Sequence, residues 1–163
     1  MDNKYIYYII IGLILVQAVF AYSFVGKDVR LYFCAVDDCE KQVVELIGTA
    51  EESIYFMTFS FTSEEIANAI IQKRNLKVKG IIEKQQNSQY CQYDRLKEYN
   101  VNVKFDKNKY FMHHKVFIID EEYIVTGSFN PTKGGNERND ENMLIIKDKA
   151  MAKRYIKEFY RIW

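Results

Sequence analysis

Residues 111–142, FMHHKVFIIDEEYIVTGSFNPTKGGNERNDEN, contain both histidines of the chain and its only proline. Two apolar runs in this stretch are separated by the polar residues 120–122, and the second run ends in GSFN at 127–130. This pattern predicts two strands, over 112–119 and 123–126, joined by a turn. We therefore expect the chemistry of the protein to lie at the ends of these strands.

Strand alternation predicts which side chains work together. His113 and Lys115 share one face of the first predicted strand, whereas His114 lies on the other face. An imidazole that can attack phosphorus would then lie beside an ammonium group that can hold an anion, and Ser128 and Asn130 add donors at the end of the next strand. This set suits a phosphate ester, with a nucleophile and an electrostatic clamp, and it requires no metal or other cofactor.

The spacing of these residues is specific. It consists of His113-x-Lys115, four residues, Asp120, six residues, and then Gly127-Ser128-x-Asn130. The pattern resembles the HKD motif of the phospholipase D superfamily, in which we interpret Asp120 and Gly127 as structural residues rather than as a base or a nucleophile. Gly127 would also permit close approach of the backbone to an anion.

Within that superfamily, the chain is most similar to the small single-motif nucleases and to the mitochondrial cardiolipin hydrolases, the Zucchini-type branch. The similarity covers roughly residues 29–163 and includes MHHK at 112–115, GSFNPT at 127–132, NDEN at 139–142, and the closing residues 158–159 and 161–163. The zinc-binding insertion of the animal Zucchini-type proteins has no counterpart here. Their substrate preference is therefore not carried over.

The resemblance implies a role for each site residue. His113 would attack phosphorus and form a covalent phosphohistidine, Lys115 and Asn130 would hold the nonbridging oxygens, and Ser128 would assist nearby. Glu141 would accept a hydrogen bond from the other ring nitrogen of His113, which fixes the tautomer and stabilises the imidazolium.

In-line displacement also requires an acid on the side of the leaving group. The side chain of His114 leaves the opposite face of the strand, and the chain has no third histidine. As in single-motif members of the superfamily, a second copy of His113 would complete the site. The resemblance thus implies a homodimer whose active site is shared between subunits.

Several basic and aromatic residues surround the motif. They predict a groove suited to single-stranded nucleic acid, through phosphate contacts and base stacking, although an ordinary charged surface would have the same composition. With a net charge of +1, bulk charge does not favour nucleic-acid binding, so any polyanion site must be local. The residues are Lys104, Lys107, Lys109, Tyr110, Phe111 and Lys115, followed by Lys133 and Arg138.

Three functions remain open from the sequence. The first is a metal-independent endonuclease acting on single-stranded or non-specific nucleic acid. The second is a phospholipase D-type hydrolase of anionic phospholipid, and the third is a non-catalytic, membrane-tethered DNA-binding protein. An oriented nucleophile argues against the third, because a pure binding protein would not need one.

The N-terminal segment 1–25 contains the apolar run YIYYIIIGLILVQAVFAYSFV at 5–25. The length of this apolar run fits a transmembrane helix, whereas the small residues near 19–21 also fit a secretory cleavage site. We favour an uncleaved anchor; if the segment is cleaved, the protein is exported. The remaining residues, 26–163, are predicted to form a single phospholipase D-like phosphodiesterase domain.

From 29 onward, short strands alternate with amphipathic helices, which predicts an α/β fold with a mixed, mostly parallel sheet and helices on both faces. Strands are expected at 29–33, 53–61, 76–82 and 101–105, and a helix at 88–99. Capping boxes at Asp37/Glu40 and Thr62/Glu65 predict two more helix starts. Ligands of such sheets bind at the carboxyl ends of the strands.

The three cysteines, Cys34, Cys39 and Cys91, lack the spacing of a zinc site. We favour the interpretation that they are small buried hydrophobic residues. In an exported domain, Cys34 could instead pair with Cys39, or one of these two with Cys91, which would leave one thiol free.

Overall fold

The computed structural model describes residues 28–163 and, before them, residues 4, 8 and 10–13. Residues 28–163 form one seven-stranded mixed sheet with helices on both faces. The strands are β1 (Asp28–Phe33), β2 (Ser53–Thr58), β3 (Lys77–Ile82), β4 (Asn102–Phe105), β5 (Lys115–Ile119), β6 (Tyr123–Gly127) and β7 (Asn142–Lys147). The helices are α1 (Cys34–Asp37), α2 (Cys39–Gly48), α3 (Glu64–Gln72), α4 (Tyr93–Glu98), α5 (Lys133–Glu137) and α6 (Lys149–Ile162), with a 3₁₀ turn at Lys84–Gln86.

The order of the strands is β1-β7-β6-β5-β2-β3-β4. Only β2–β3 and β3–β4 pair in parallel, and the other four pairs of this sheet are antiparallel, so the prediction of a mostly parallel sheet is wrong. Helical crossovers between strands that are neighbours in the sheet occur only between 53 and 105. The turn between β5 and β6 is too short for a crossover, which forces these strands to run antiparallel.

Alternation along β2 divides the core between the two faces of the sheet. Ile54 and Phe56 pack in the cluster that includes α2, α3 and α4, whereas Tyr55 and Met57 pack in the cluster that includes α6. All four side chains are fully buried. The predicted arrangement of helices on both faces is confirmed, and the burial of both faces of β2 explains its uninterrupted apolar sequence.

Most element boundaries differ from the predictions by a few residues. The N-cap of α2 is Asp38 rather than Asp37, and that of α3 is Ser63 rather than Thr62; each side chain accepts from the backbone three residues later. The strand predicted at 53–61 ends at Thr58, and the helix predicted at 88–99 covers only Tyr93–Glu98. β5 begins at Lys115, so residues 112–114 form the approach to the strand.

The favoured interpretation of the cysteines is wrong for two of them. Cys34 and Cys39 form a disulfide, and both are also buried. Asp38 makes this possible, because its left-handed backbone (φ 53°) turns the chain between α1 and α2. Cys91 is free and buried, as predicted, and burial raises the pKa of its thiol.

The predicted membrane segment lies outside the described residues, except for 8 and 10–13. Within the described part of the chain, no helix combines the length and the apolar character needed to cross a bilayer.

Candidate active site

The residues of the predicted site meet where the strands of the sheet end on one side. We call this row of strand ends the site edge. The registers place Lys115, which begins β5, beside Thr58, which ends β2, and Gly127, which ends β6, beside Met143 near the start of β7. This edge also holds the carboxyl ends of β1, β3 and β4. It therefore brings together His113, Lys115, Ser128, Asn130 and Glu141 from three separate stretches of the chain.

His113 and Lys115 are in direct contact. The Nζ atom of Lys115 lies 3.2 Å from both ring nitrogens of His113 and donates to the His113 carbonyl oxygen at 3.1 Å. The ring of Phe59 packs against the imidazole, with 4.4 Å between centroids, and the Lys115 ammonium lies 4.8 Å from the same Phe59 ring. The exposed imidazole is thus held beside a cation on an aromatic support.

Burial lowers the pKa of Lys115, and the negative charge of Glu141 acts in the opposite direction. A phosphate bound at Lys115 would act in the same direction as Glu141, because an anion stabilises the ammonium form. Protonation of Lys115 and binding of an anion therefore reinforce each other.

The end of β6 is fixed against β7 by its backbone and by Ser128. Gly127 has φ +150°, and a Cβ atom there would collide with the carbonyl oxygen of Asn142. Ser128 Oγ accepts from the Asn142 amide at 3.1 Å, so the Ser128 hydroxyl proton can point toward a substrate. Asn130 Oδ1 accepts from the Ser60 amide at 3.3 Å, which leaves Nδ2 as the group that can donate to an oxyanion.

Glu141 differs from its predicted role. Its carboxylate accepts from Asn139 Nδ2 at 3.2 Å, and its backbone oxygen accepts from the Cys34 amide at 3.0 Å. The expected hydrogen bond to His113 is not formed among the described residues, and the Nζ atom of Lys115 lies 3.2 Å from both ring nitrogens instead. In this structure Glu141 acts on the site through its charge.

His114 contacts α6, whereas His113 contacts Lys115 and Phe59. The Nε2 atom of His114 lies 3.5 Å from Glu158 Oε1 on α6. Arg161 and, to a smaller extent, His114 lower the pKa of Glu158. The predicted alternation of the two histidines therefore continues beyond the start of β5.

A cleft of about 570 Å³ opens at His113. Its walls combine cations and aromatic carbon: Lys107 and Arg161 lie at the sides, and the ring of Phe111 is 55% exposed. Asn108 and His114 also line it. A phosphodiester in this cleft would meet the nucleophile and positive charge together.

Of the basic residues predicted to bind substrate, Lys109, Lys133 and Arg138 divide between two places. Lys109 lies on the loop that carries Phe111, with its ammonium 5.0 Å from the Tyr110 ring. Lys133 begins α5 and pairs with Glu137 at 3.8 Å, and Arg138 is the C-cap of the same helix. None of these three residues lines the cleft, so the structure does not form the single basic groove that the sequence predicted.

Asp120 lies at the opposite ends of the strands from the site edge, just beyond the end of β5. Its carboxylate accepts from the backbone amides of Glu51, Glu52 and Ser53 at 3.0, 2.8 and 2.9 Å. Its left-handed backbone (φ 52°) is a conformation that aspartate tolerates. These contacts join the β5–β6 turn to the start of β2.

Two residues of the site, Phe59 and Glu83, were not predicted from the sequence. Glu83 is 1% exposed, and its carboxylate accepts from the Met112 amide at 2.6 Å and from the Gln85 amide at 2.9 Å. It therefore holds the segment that leads into His113. Each of them directly follows an apolar strand at its carboxyl end. This position is the signal that could have identified them.

No group of three or more His, Cys, Asp or Glu side chains within the described residues is arranged to hold a metal ion. The donors at the site are one imidazole, one ammonium, one hydroxyl and one amide. The site also contains one carboxylate, that of Glu141. The chemistry considered below uses only these groups.

Comparison with known proteins gives a consistent result. The family model described as "Cardiolipin synthase, PLD-like domain" matches residues 43–163. Phospholipase D of Rickettsia prowazekii (strain Madrid E) is 33% identical over 137 residues, which cover 82% of this chain and 67% of that protein. Mitochondrial cardiolipin hydrolase of Xenopus laevis is 34% identical over 124 residues, which cover 74% of this chain and 59% of that protein.

Two solved structures resemble the fold closely. Nuc from Salmonella typhimurium, a phospholipase D family member, superposes with a TM-score of 0.78 at 26% identity, covering 85% of this chain and 95% of that chain. NucT from Helicobacter pylori superposes with a TM-score of 0.75 at 26% identity, covering 84% and 96%.

Proposed function

Since the chain belongs to the phospholipase D-like family and is a phosphodiesterase, we propose that it is an endonuclease acting on single-stranded or non-specific nucleic acid. The observation that carries this proposal is the cleft at His113, which has the cations Lys107 and Arg161 and the exposed ring of Phe111. Cations bind the phosphates of any sequence, and an exposed ring stacks on any base. The similarity to Nuc and NucT points to the same activity.

In the first chemical step, a ring nitrogen of His113 forms a bond to phosphorus as the bond from phosphorus to the leaving oxygen breaks. Lys115 and the Nδ2 group of Asn130 stabilise the negative charge on the nonbridging oxygens, and the Ser128 hydroxyl adds a donor. In the second step, water attacks the phosphohistidine, the N–P bond breaks, and His113 is regenerated. The charge of Glu141 favours the cationic form of Lys115.

The leaving oxygen needs a proton, and we assign this proton to His113 of a second copy of the chain. His114 is held by Glu158 on the α6 side, and the sequence contains no other histidine. The same imidazole, once neutral, would take the proton of the attacking water in the second step. The active enzyme is therefore a homodimer with one site formed between two subunits.

Mixing subunits tests the shared site. His113→Ala chains are exchanged with wild-type chains, and activity is measured per wild-type chain. A shared site predicts a fall to about half in an equimolar mixture, because half of the wild-type chains then have an inactive partner. Unchanged activity per wild-type chain, or unchanged specific activity after dilution to monomers, would refute it.

Substrate class is tested with the purified chain in EDTA, incubated separately with labelled single-stranded DNA, RNA, duplex DNA and anionic phospholipid vesicles. We expect chelator-resistant cleavage of single-stranded nucleic acid, abolished in His113→Ala. Binding that is equal in the wild type and in His113→Ala, with no cleavage of any substrate, would instead identify a non-catalytic binding protein.

Phospholipid hydrolysis is the second candidate function. The observation that favours it is an apolar stripe on the edge strand β1, where Val29, Leu31 and Phe33 are 48%, 55% and 56% exposed. In the sequence this strand follows the apolar segment 5–25, which we propose is a membrane anchor. Release of phosphatidic acid from the vesicles, without cleavage of nucleic acid, would establish this function in place of the nuclease.

A further inference from the structure

A second basic surface lies at the β3–β4 edge of the sheet, on the face that α6 covers. The Lys104 ammonium lies 4.0 Å from the centroid of the Trp163 ring. The Lys79 ammonium lies 5.1 Å from the same ring and 5.0 Å from the ring of Tyr160. We call these four residues the lysine–aromatic surface.

The two lysines of this surface carry uncompensated charge. Of the ion pairs between described residues, none includes Lys79 or Lys104, whereas Lys77 on the same strand pairs with Glu121 at 3.6 Å. Two ammonium groups at one indole ring repel each other, although each is attracted to the ring. An anion bound between or beside them would remove this repulsion.

The surface adjoins the cleft at His113 along two elements. Arg161 and Ile162 line the cleft, and Trp163 follows them directly on α6. Lys104 is on β4, three residues before Lys107, which is also in the cleft wall. A polyanion leaving the cleft on this side would therefore meet Lys104 and Lys79 next.

The geometry of the sheet sets the distance between the two sites. β5, which His113 precedes, and β4 are separated by three strand spacings, which amount to about 14 Å. A nucleic acid strand advances at least about 3.4 Å per nucleotide, so this distance spans at most about four nucleotides. One strand can occupy both sites.

We propose that the lysine–aromatic surface binds a phosphate group of the substrate strand, at most about four nucleotides from the bond that His113 attacks. This inference rests on the proposed nuclease function and extends it from one scissile phosphate to a longer footprint. The ammonium groups lie over the rings, so the contact is with phosphate rather than with stacked bases, and it is independent of sequence. The bases of the substrate would instead stack on the exposed aromatic rings near the cleft.

The test measures how binding depends on salt. The full chain carrying His113→Ala keeps the DNA intact, and its affinity for a fluorescent single-stranded oligonucleotide of about 20 nucleotides is measured at several salt concentrations. Loss of one phosphate contact predicts that K79Q/K104Q has a log–log salt slope shallower by about 0.7. K79R/K104R, which keeps both charges, should have the slope of the parent.

The matched control is K41Q/K97Q, which removes the same charge from exposed positions on α2 and α4, on the other face of the sheet. Its salt slope should equal that of the parent. The inference is wrong if K79Q/K104Q keeps the parental slope, or if the control reduces the slope as much. It is also wrong if K79Q/K104Q loses binding to phosphatidylglycerol vesicles while its DNA binding is unchanged.

The proposed function is assessed separately, with chains in which His113 is intact. Cleavage of single-stranded DNA together with an unchanged salt slope in K79Q/K104Q would reject the surface and keep the nuclease. Failure of the wild-type chain to cleave or bind any nucleic acid would reject both.

Discussion

The two ends of β5 carry residues of one sequence motif but differ in physical character. At one end, His113 is exposed, and its ring nitrogens contact the ammonium of Lys115. At the other end, Asp120 accepts three backbone hydrogen bonds from residues 51–53. The exposed end keeps groups available for a substrate, whereas the other end uses its charge to connect two parts of the fold.

This difference shows that a compact motif can combine a reactive part and a structural part. Four residues of β5 separate Lys115 from Asp120, so the Asp120 side chain does not contact the site. Substitutions at the two ends should therefore separate activity from stability, and the predictions below compare them in order of decreasing effect.

The largest effect is expected for His113→Ala. Removing the nucleophile should lower kcat/KM by at least about 10⁴-fold, as for other residues that form a covalent intermediate. The free energy of unfolding should change by less than about 0.5 kcal/mol, because the side chain is exposed. Initial rates on single-stranded DNA and urea unfolding measure the two quantities.

The matched control is His114→Ala, on the opposite side of the strand. It should lose less than about tenfold in kcat/KM, because His114 lines the cleft but contacts Glu158 rather than Lys115. A loss in His114→Ala as large as that in His113→Ala would contradict the assignment of the nucleophile.

Lys115→Met should lower kcat/KM by about 10²–10³-fold, which is typical for loss of one group that stabilises an oxyanion. Burial lowers the pKa of Lys115 from 10.5, so its charge, and with it the binding of inorganic phosphate as inhibitor, should be lost as pH rises through that lowered value. In Lys115→Arg, phosphate inhibition should persist to higher pH. Wild-type inhibition that stays constant beyond pH 10.5 would show that Lys115 does not hold the anion.

Asp120→Ala should reverse the pattern of His113→Ala. Three backbone amides lose a charged acceptor, and a left-handed backbone position loses a tolerant residue, which together cost about 2–3 kcal/mol of unfolding free energy. The kcat of the folded protein should stay within a few-fold of the wild type. Asp120→Asn, which keeps one acceptor oxygen, should recover part of the stability, and a kcat loss comparable to that of Lys115→Met would give Asp120 a catalytic role.

The smallest effect is expected for Glu158→Gln. Because Arg161 and His114 lower the pKa of Glu158 in the folded state, its carboxylate stabilises the fold above the ordinary value of 4.5, and this contribution is lost as pH falls through the lowered pKa. The variant should therefore be less stable at pH 7 by under about 1 kcal/mol, since this partly exposed pair is screened by solvent. The difference should disappear in acid; a difference that persists at pH 2 would indicate lost packing.

Local features of the site could be predicted from the sequence. The shared face of His113 and Lys115 depends only on backbone alternation, which extends two residues before β5 begins. The β5–β6 hairpin likewise follows from neighbouring residues. The family resemblance is confirmed. It could be predicted because the spacing of the motif is a property of the sequence alone.

Features that depend on distant parts of the chain could not be predicted. Phe59 reaches His113 only because β2 and β5 are neighbours in the sheet, and strand order is not visible in any short window. The mostly parallel sheet was predicted from the β-α units before 105, whereas β7 pairs with β1 from the other end of the domain. The Glu141–His113 bond was carried over from the resemblance, and in this chain Lys115 occupies that position.

The disulfide between Cys34 and Cys39 has a practical consequence for the chemistry of the sample. The amide of Cys34 donates a hydrogen bond to the backbone oxygen of Glu141, so one cysteine of the disulfide directly contacts a site residue. A thiol reductant such as dithiothreitol can open the bridge and yield a covalently different molecule. Rates recorded with and without reductant therefore belong to two chemical species, and each preparation should be assigned by counting free thiols before its activity is compared.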